Sequence, residues 1–230
     1  LSPHDRVAAA NEVNLLEQLQ HANIVTLYRS FTTTDNLVIA MEYCPDGDLA
    51  ALLGRQRASR RWLPEPEVRA MLSQLASALA HCHSRYVTHR DLKASNVFVR
   101  EGSNPLQRTV LLGDFGVAKA LSSTRALACT QCGTPYYLPP EICMGADYSS
   151  KADVRYLGVL AHELCALRYP FQGDNLPQLV MRIVQNKRRP LASITTADLR
   201  ALIDAVLQLE PCERPTGEPR ATALAPLAAA

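Results

Sequence analysis

The chain has almost no excess charge of either sign: 24 Lys and Arg stand against 22 Asp and Glu, a formal net charge of +2 over 230 residues. That balance gives no electrostatic footprint for nucleic acid or for an anionic membrane surface. No uncharged apolar run approaches the roughly 18 residues of a spanning helix. The first residues, LSPHDRVAAANEV, lack the basic-then-apolar order of a secretory signal and carry no initiator Met, as expected of a fragment or a processed chain. Cysteine is present but unsuited to a disulfide framework, because the seven residues are odd in number and scattered through a chain large enough to form its own core. Cys129 and Cys132 form a CxxC, yet no second CxxC or HxxxH follows to complete a zinc site. Free thiols in a reduced cytosolic or nuclear setting are the expectation.

What is there has the composition of an ordinary soluble globular enzyme, 47% hydrophobic and 20% charged, and its elements read as α+β. Ala9, Val13, Leu16 and Leu19 recur at helical spacing and predict an amphipathic helix from Ala8 to about Gln20. Two strand-like runs, Ile24–Phe31 and Asn36–Tyr43, flank a polar TTTD and predict an antiparallel pair. CPDGD then breaks the pattern, and the stretch beyond it is mostly helical. Its longest amphipathic helix lies in PEPEVRAMLSQLASALAHCHSR, where Val68, Leu72, Leu75, Leu79 and Cys82 step by four and three. Short β runs follow at Val97–Val99 and Thr109–Leu112. From Ala152 to Leu167 apolar residues occupy nearly every face, as in a helix buried inside a domain. Further helices are predicted over about 176–187 and 197–209, and the tail from Pro215 is Ala- and Pro-rich. The expected organisation is two unequal lobes: a small β-bearing unit over 1–43, a mainly helical unit over 44–215, and a low-complexity tail over 216–230.

The residues that carry chemistry are His89-Arg90-Asp91-Leu92-Lys93-Ala94-Ser95-Asn96, with Asp114-Phe115-Gly116 beginning 18 residues after Asn96. Two carboxylates, an amide oxygen and an ammonium group sit on loops beside short strands. Asp114 and Asn96 could supply the oxygen ligands that Mg²⁺ takes when it is shared with phosphates. Asp91 could accept a proton from an attacking hydroxyl, and Lys93 could offset charge on a transferring phosphoryl group. Such a set fits phosphoryl transfer, in which catalysis is mostly positioning and electrostatics.

HRDLKASN, DFG and the later GTPYYLPPEI resemble, in order and spacing, the catalytic loop, metal loop and activation-segment end of eukaryotic protein kinases. The resemblance runs from about Ala8 to Pro215 and implies a two-lobed kinase-like fold whose small lobe is truncated, with ATP and Mg²⁺ as cofactors and proteins bearing Ser or Thr as substrates. Lys93, two residues after Asp91, matches the serine/threonine pattern. By the same resemblance Met41 is the gatekeeper, and Glu42 and Cys44 offer backbone hydrogen bonds to adenine. Asp48 approaches the ribose, and Phe98 packs beneath the adenine ring, a place equally consistent with plain core. Glu12 stands where the regulatory helix carries its glutamate, though by itself it reads as a solvated helix charge. Arg90 implies control by phosphate in the activation segment, with Thr130 the preferred phosphosite and Thr134 the threonine that contacts the catalytic loop. Asp153 resembles the aspartate that anchors the HRD backbone, and Glu141 with Arg214 a buried ion pair.

Within the kinases the chain is most similar to the NIMA-related (Nek) group, through NEVNLLEQLQHANIV, GTPYYLPPEI and RYPFQGDNLPQLVMRIVQ. The resemblance implies a cytoplasmic setting, with nuclear or cytoskeletal association as the alternatives. Three departures stand out. Only 11 residues precede Glu12, with neither Gly nor Lys among them, and Lys93 is the first lysine of the chain. The phosphate-covering glycine loop and the strand lysine of the family are therefore missing. A fragment of a longer kinase, a truncated kinase and an incomplete gene model all remain open, as does a catalytically impaired kinase fold acting as a binding scaffold. Next, Arg155 replaces a tryptophan in DVRYLG; its expected arrangement is a packed stem with the guanidinium in water. Finally, PPE replaces the commoner APE or SPE.

Overall fold

The computed structural model describes residues 17, 19–33, 37–114, 135–147, 149–191 and 195–215. The expected helix over Ala8–Gln20 lies outside them except at its end, where Glu17 is helical and Leu19 is buried. The Glu17 carboxylate accepts the Ser30 amide at 2.9 Å and the Ser30 hydroxyl at 2.8 Å, tying this end to the first strand.

That strand, β1 (Leu27–Thr32), pairs antiparallel with β2 (Leu37–Met41). It starts later than the apolar run does, because Ile24 instead makes a parallel bridge to Leu112. Val25 donates to the Leu112 carbonyl, and Leu112 to that of Asn23, each at 2.9 Å. The first hydrophobic residues of the run therefore join the hairpin to the larger body rather than lengthening the sheet.

The helical stretch after CPDGD holds two helices, α1 (Leu49–Ser59) and α2 (Glu65–His83). Asp48 starts α1 by accepting the Ala51 amide at 2.7 Å, so one orphan donor of the first turn is satisfied. At the other end Arg60 adopts a left-handed backbone (φ 54°), and the Arg60 and Arg61 amides return to the carbonyls of Arg57 and Gln56. Such a turn favours glycine, and a non-glycine residue there costs about 1 kcal/mol. Between them Leu49, Leu52 and Leu53 enter the core. α2 buries Val68, Leu72, Leu75, Leu79 and Cys82, the stripe that its spacing predicts, and Met71 with them.

β3 (Val97–Arg100) and β4 (Thr109–Leu112) form a second antiparallel pair, with Val97 opposite Leu112. Beyond the short α3 (Pro140–Cys143) comes α4 (Ser150–Ala166), in which every residue from Ala152 to Ala166 is buried. α5 (Leu176–Val184) and α6 (Ala197–Val206) are shorter than their apolar patterns. α5 stops because Asn186 takes a left-handed conformation and the Lys187 amide turns back to the Arg182 carbonyl. α4 lies close against the end of α6: a Cβ on Gly158 would stand 2.7 Å from the Val206 side chain and 2.8 Å from that of Leu207, so any larger residue would push them aside.

Arg155 departs from its expected arrangement. Its guanidinium is not in water but wholly buried, 5.3 Å from the Phe171 ring. Nη1 donates to the carbonyls of Leu207 (2.5 Å) and Gln208 (2.9 Å), and Nη2 to Asn186 Oδ1 (3.2 Å). The reason is the helix itself: with all faces of α4 covered, no direction leads the side chain to solvent. Burial, reinforced by Arg214 and Arg188, pulls its pKa down to about 9.

Candidate active site

The loop 88–96 is held from below by α4. The Asp153 carboxylate accepts the backbone amides of His89 (2.8 Å) and Arg90 (2.9 Å) and, at 2.8 Å, the Nε2–H of His83 on α2. One buried carboxylate thus fixes two consecutive peptide units of the loop and ties them to two helices. Arg90 itself takes a left-handed backbone (φ 67°), a conformation that such anchoring can hold.

His89 is fully buried. Its Nδ1 accepts the Asp91 amide (3.3 Å), so Nε2 carries the proton and donates it to the Gly113 carbonyl (2.9 Å). Burial lowers the imidazole pKa, in keeping with that neutral tautomer. The ring thereby bridges the loop to the residue before Asp114. Gly113 must be small, because a Cβ would fall 2.8 Å from the Phe98 ring and 2.9 Å from Val25.

Three polar groups converge beside it. Asp91 Oδ2 accepts Lys93 Nζ at 2.8 Å and Asn96 Nδ2 at 3.1 Å. Asn96 Nδ2 also donates to the Asp91 carbonyl at 2.8 Å and lies 3.4 Å from that of Asp114. Those carbonyl partners fix which end of the amide is nitrogen, and leave Oδ1, which accepts the Ser95 hydroxyl at 3.4 Å, as the oxygen that can face a cation. Asp114, which ends the described stretch 37–114, has a left-handed backbone (φ 49°). Asn96 Oδ1 and the Asp114 carboxylate are hard oxygen donors and suit Mg²⁺ by their chemistry.

Of the expected adenine-side residues, Met41, Glu42, Cys44 and Asp48 lie on the end and exit of β2, and Phe98 lies on β3. The Glu42 amide donates to the Thr26 carbonyl (2.8 Å), and its carboxylate pairs with Arg100 and accepts the Thr26 amide (3.3 Å). Cys44 follows, half-buried, with its carbonyl accepting Gly47 at 3.4 Å and its thiol pKa raised, chiefly by burial. Asp48 forms a β-bridge with Phe98, and the Val99 amide donates to the Gly47 carbonyl (2.9 Å), so the turn before α1 and β3 are stitched together. Met41 is exposed, and Phe98 half-buried. Glu12, Thr130 and Thr134 lie outside the described residues, as do Phe115 and Gly116.

A second polar cluster braces the loop from its other end. Tyr137, in the turn Pro135–Tyr137, accepts the Ala94 amide at 3.3 Å and donates to the buried Glu163 of α4. Arg57 of α1 pairs with the same carboxylate and donates to the Leu167 carbonyl at 2.9 Å. Burial raises the pKa of both Tyr137 and Glu163. Farther out, Arg214 meets Glu141 in two parallel hydrogen bonds of 2.6 and 2.7 Å. No sequence motif marks the bracing roles of Tyr137, Glu163, Arg57 and His83. One signal was available: a charged residue inside a helix apolar on every face must be buried, and a buried charge requires a partner.

A family model described as "Protein kinase domain" matches residues 2–225, and the chain belongs to that family. It is similar to the serine/threonine-protein kinase Nek5 of Homo sapiens, 40% identical over 212 residues that cover 92% of this chain and 29% of that protein. Nek3 of Mus musculus is 38% identical over 212 residues, 92% of this chain and 40% of the relative. The serine/threonine-protein kinase nekl-2 of Caenorhabditis elegans is 38% identical over 211 residues, 89% of this chain and 57% of the relative. The chain therefore spans between 29% and 57% of the length of these kinases. The two small antiparallel sheets and the mainly helical larger part are the α+β, two-lobed arrangement that the motifs imply.

Proposed function

We propose that the protein transfers the γ-phosphoryl group of ATP to serine or threonine hydroxyls of other proteins. The observation that carries this reading is the single hydrogen-bonded unit formed by Asp91, Lys93 and Asn96 against the backbone of Asp114, within a chain of the protein kinase family. Asp91 accepts the proton of the attacking hydroxyl as the new O–P bond forms and the bond from the γ-phosphorus to the bridging oxygen breaks, which releases ADP. Lys93, 2.8 Å from that carboxylate, offsets negative charge on the transferring group. Asn96 Oδ1 and Asp114 would hold Mg²⁺, which when bound screens the phosphate oxygens. At the adenine end, the Glu42 carbonyl and the Cys44 amide serve as acceptor and donor, with Met41 at the back of the pocket and Phe98 beneath the ring. Asp48 spends Oδ1 on capping α1 and keeps Oδ2 for the ribose. Control runs through a phosphate on Thr130 engaging Arg90, with Thr134 against the catalytic loop and Glu12 as the regulatory-helix carboxylate.

The test is transfer of radiolabelled phosphate from ATP·Mg²⁺ to casein by the full protein that carries this chain. Asp91→Asn is expected to lower turnover roughly 10²–10⁴-fold, the usual loss when acid–base help is removed. Turnover near that of the unaltered protein would remove Asp91 from the role. Absence of transfer by the folded, unaltered protein would favour a kinase fold that only binds.

A further inference from the structure

Residues 54–62, GRQRASRRW, contain four arginines and no acid. They occupy the last turns of α1 and the bend that follows. Arg57 turns inward and commits its charge to the buried Glu163 and the Leu167 carbonyl. Arg55, Arg60 and Arg61 are exposed, and their guanidinium groups have no hydrogen bond or ion pair with another described residue. The acids that follow are already taken. Glu65 is held by Arg69 and Thr196, and Glu67 by Arg108. Three exposed cations therefore lie within seven residues of chain, and none of them is paired with an acid among the described residues.

The fold does not require these cations. None of the three anchors a carboxylate or fills the core, and at 60 the left-handed backbone would be easier for glycine. A cation near the C-terminal end of α1 suits the helix dipole, but Arg57 already supplies one there, and further like charges beside it repel one another. Beside them stands Trp62, the only tryptophan of the chain, with 46% of its surface exposed. Arginine forks beside an exposed aromatic ring are the composition of a protein-binding surface, where guanidinium groups take carboxylates in pairs and the ring receives an apolar side chain.

We infer that the face formed by Arg55, Arg60, Arg61 and Trp62 docks a carboxylate-rich segment of a partner protein. Charge complementarity argues for that occupant. The chain-wide balance of +2 and the small number of unpaired cations argue against a nucleic-acid backbone, which needs an extended basic track. The inference does not depend on catalysis, and its readout is binding.

Trp62 supplies the probe. A twelve-residue peptide of Asp and Glu with one central Leu, titrated into the full chain at low salt, is expected to change Trp62 emission saturably, with affinity falling as NaCl rises. The double variant Arg55→Glu/Arg61→Glu should weaken binding about tenfold or more, since two attractive contacts become repulsive. Arg60→Gly should also weaken it while leaving the thermal midpoint unchanged or raised, which separates lost docking from lost folding. No saturable emission change would overturn the inference, as would equal affinity of the double variant and the unaltered chain. Tighter binding of a twelve-nucleotide oligouridylate than of the acidic peptide would overturn it in favour of a nucleic-acid surface.

Discussion

The β1–β2 hairpin and helix α4 invert each other's chemistry. The hairpin and its exit expose Tyr28, Phe31, Val38, Met41 and Tyr43, whereas α4 buries Asp153, Arg155, His162 and Glu163. Hydropathy alone would have exchanged them. What decides is the number of elements packed against each. α4 lies against α2 and α6 and against the turns around Tyr137 and Pro211, so even its charged residues have no route to water. The hairpin, among the described residues, is a two-stranded sheet whose nearest attachments are Ile24 and Val25 on Leu112 and the contacts of Glu42. The buried side chains of α4 are tolerable because each finds partners: Asp153 in the loop 88–96 and on α2, Arg155 after α5 and α6, His162 at the carbonyls of Arg168 and Arg189, and Glu163 at Tyr137 and Arg57. The inversion therefore puts the rigid end of the molecule under the proposed phosphoryl-transfer residues.

The largest expected effect probes that rigidity. Asp153→Ala leaves the His89 and Arg90 amides and the His83 ring without their acceptor, and should cost about 3–5 kcal/mol, as when a buried charge network loses one member. Urea unfolding would measure it; a loss below about 1 kcal/mol would mean that other contacts hold the loop.

Arg155→Met tests the contrast from the opposite side. The Leu207 carbonyl keeps Asn186 as donor (3.1 Å) and the Gln208 carbonyl keeps Arg214 (2.8 Å), so neither is stranded. Removing a buried cation of depressed pKa should then stabilise by about 1 kcal/mol or more. A lower thermal midpoint would show that the Phe171 stack and the three hydrogen bonds outweigh the cost of burying the charge.

Acid supplies a smaller, graded test. His89, His21 and His81 all have lowered pKa values, burial being the first cause in each. Their unfolded forms take up protons near pH 6.5, while the folded forms resist until lower pH. Stability is therefore full above about 6.5 and falls as pH drops toward the folded values. Glu163, whose pKa is raised by burial, works in the opposite sense and offsets part of the loss. Denaturation midpoints that stayed level between pH 7.5 and 5.5 would contradict the neutral His89 tautomer.

The smallest effect belongs to the hairpin. Phe31→Ser on its exposed surface should change stability by no more than about 0.5 kcal/mol. A larger loss would mean that this face is covered in solution, and the contrast with α4 would narrow.

Much of the site was legible because its chemistry is local. Asp91, Lys93 and Asn96 lie within six residues, so one turn of loop is enough to bring them together, and the order of HRDLKASN already indicates the arrangement. The α2 stripe was equally legible, since Val68, Leu72, Leu75 and Leu79 repeat at the helical period and the structure buries that face. Element ends were less so. β1 is shorter than its apolar run because Ile24 serves a different contact, and α5 stops at a backbone turn that its hydropathy does not mark.

Sequence by itself determined the helices whose apolar residues recur in period, the loop that gathers the carboxylate, lysine and amide, and the family to which they belong. Each depends on residues close together in the chain, whose geometry the backbone alone dictates. The tertiary structure decided the rest. Asp153 reaches back 64 residues to hold His89, Glu163 gathers Tyr137 and Arg57 from two other elements, and Arg155 is buried where a solvated guanidinium was expected. Whether a charged side chain meets water or a partner depends on what packs over it. That is set by contacts between distant segments, which no local pattern encodes.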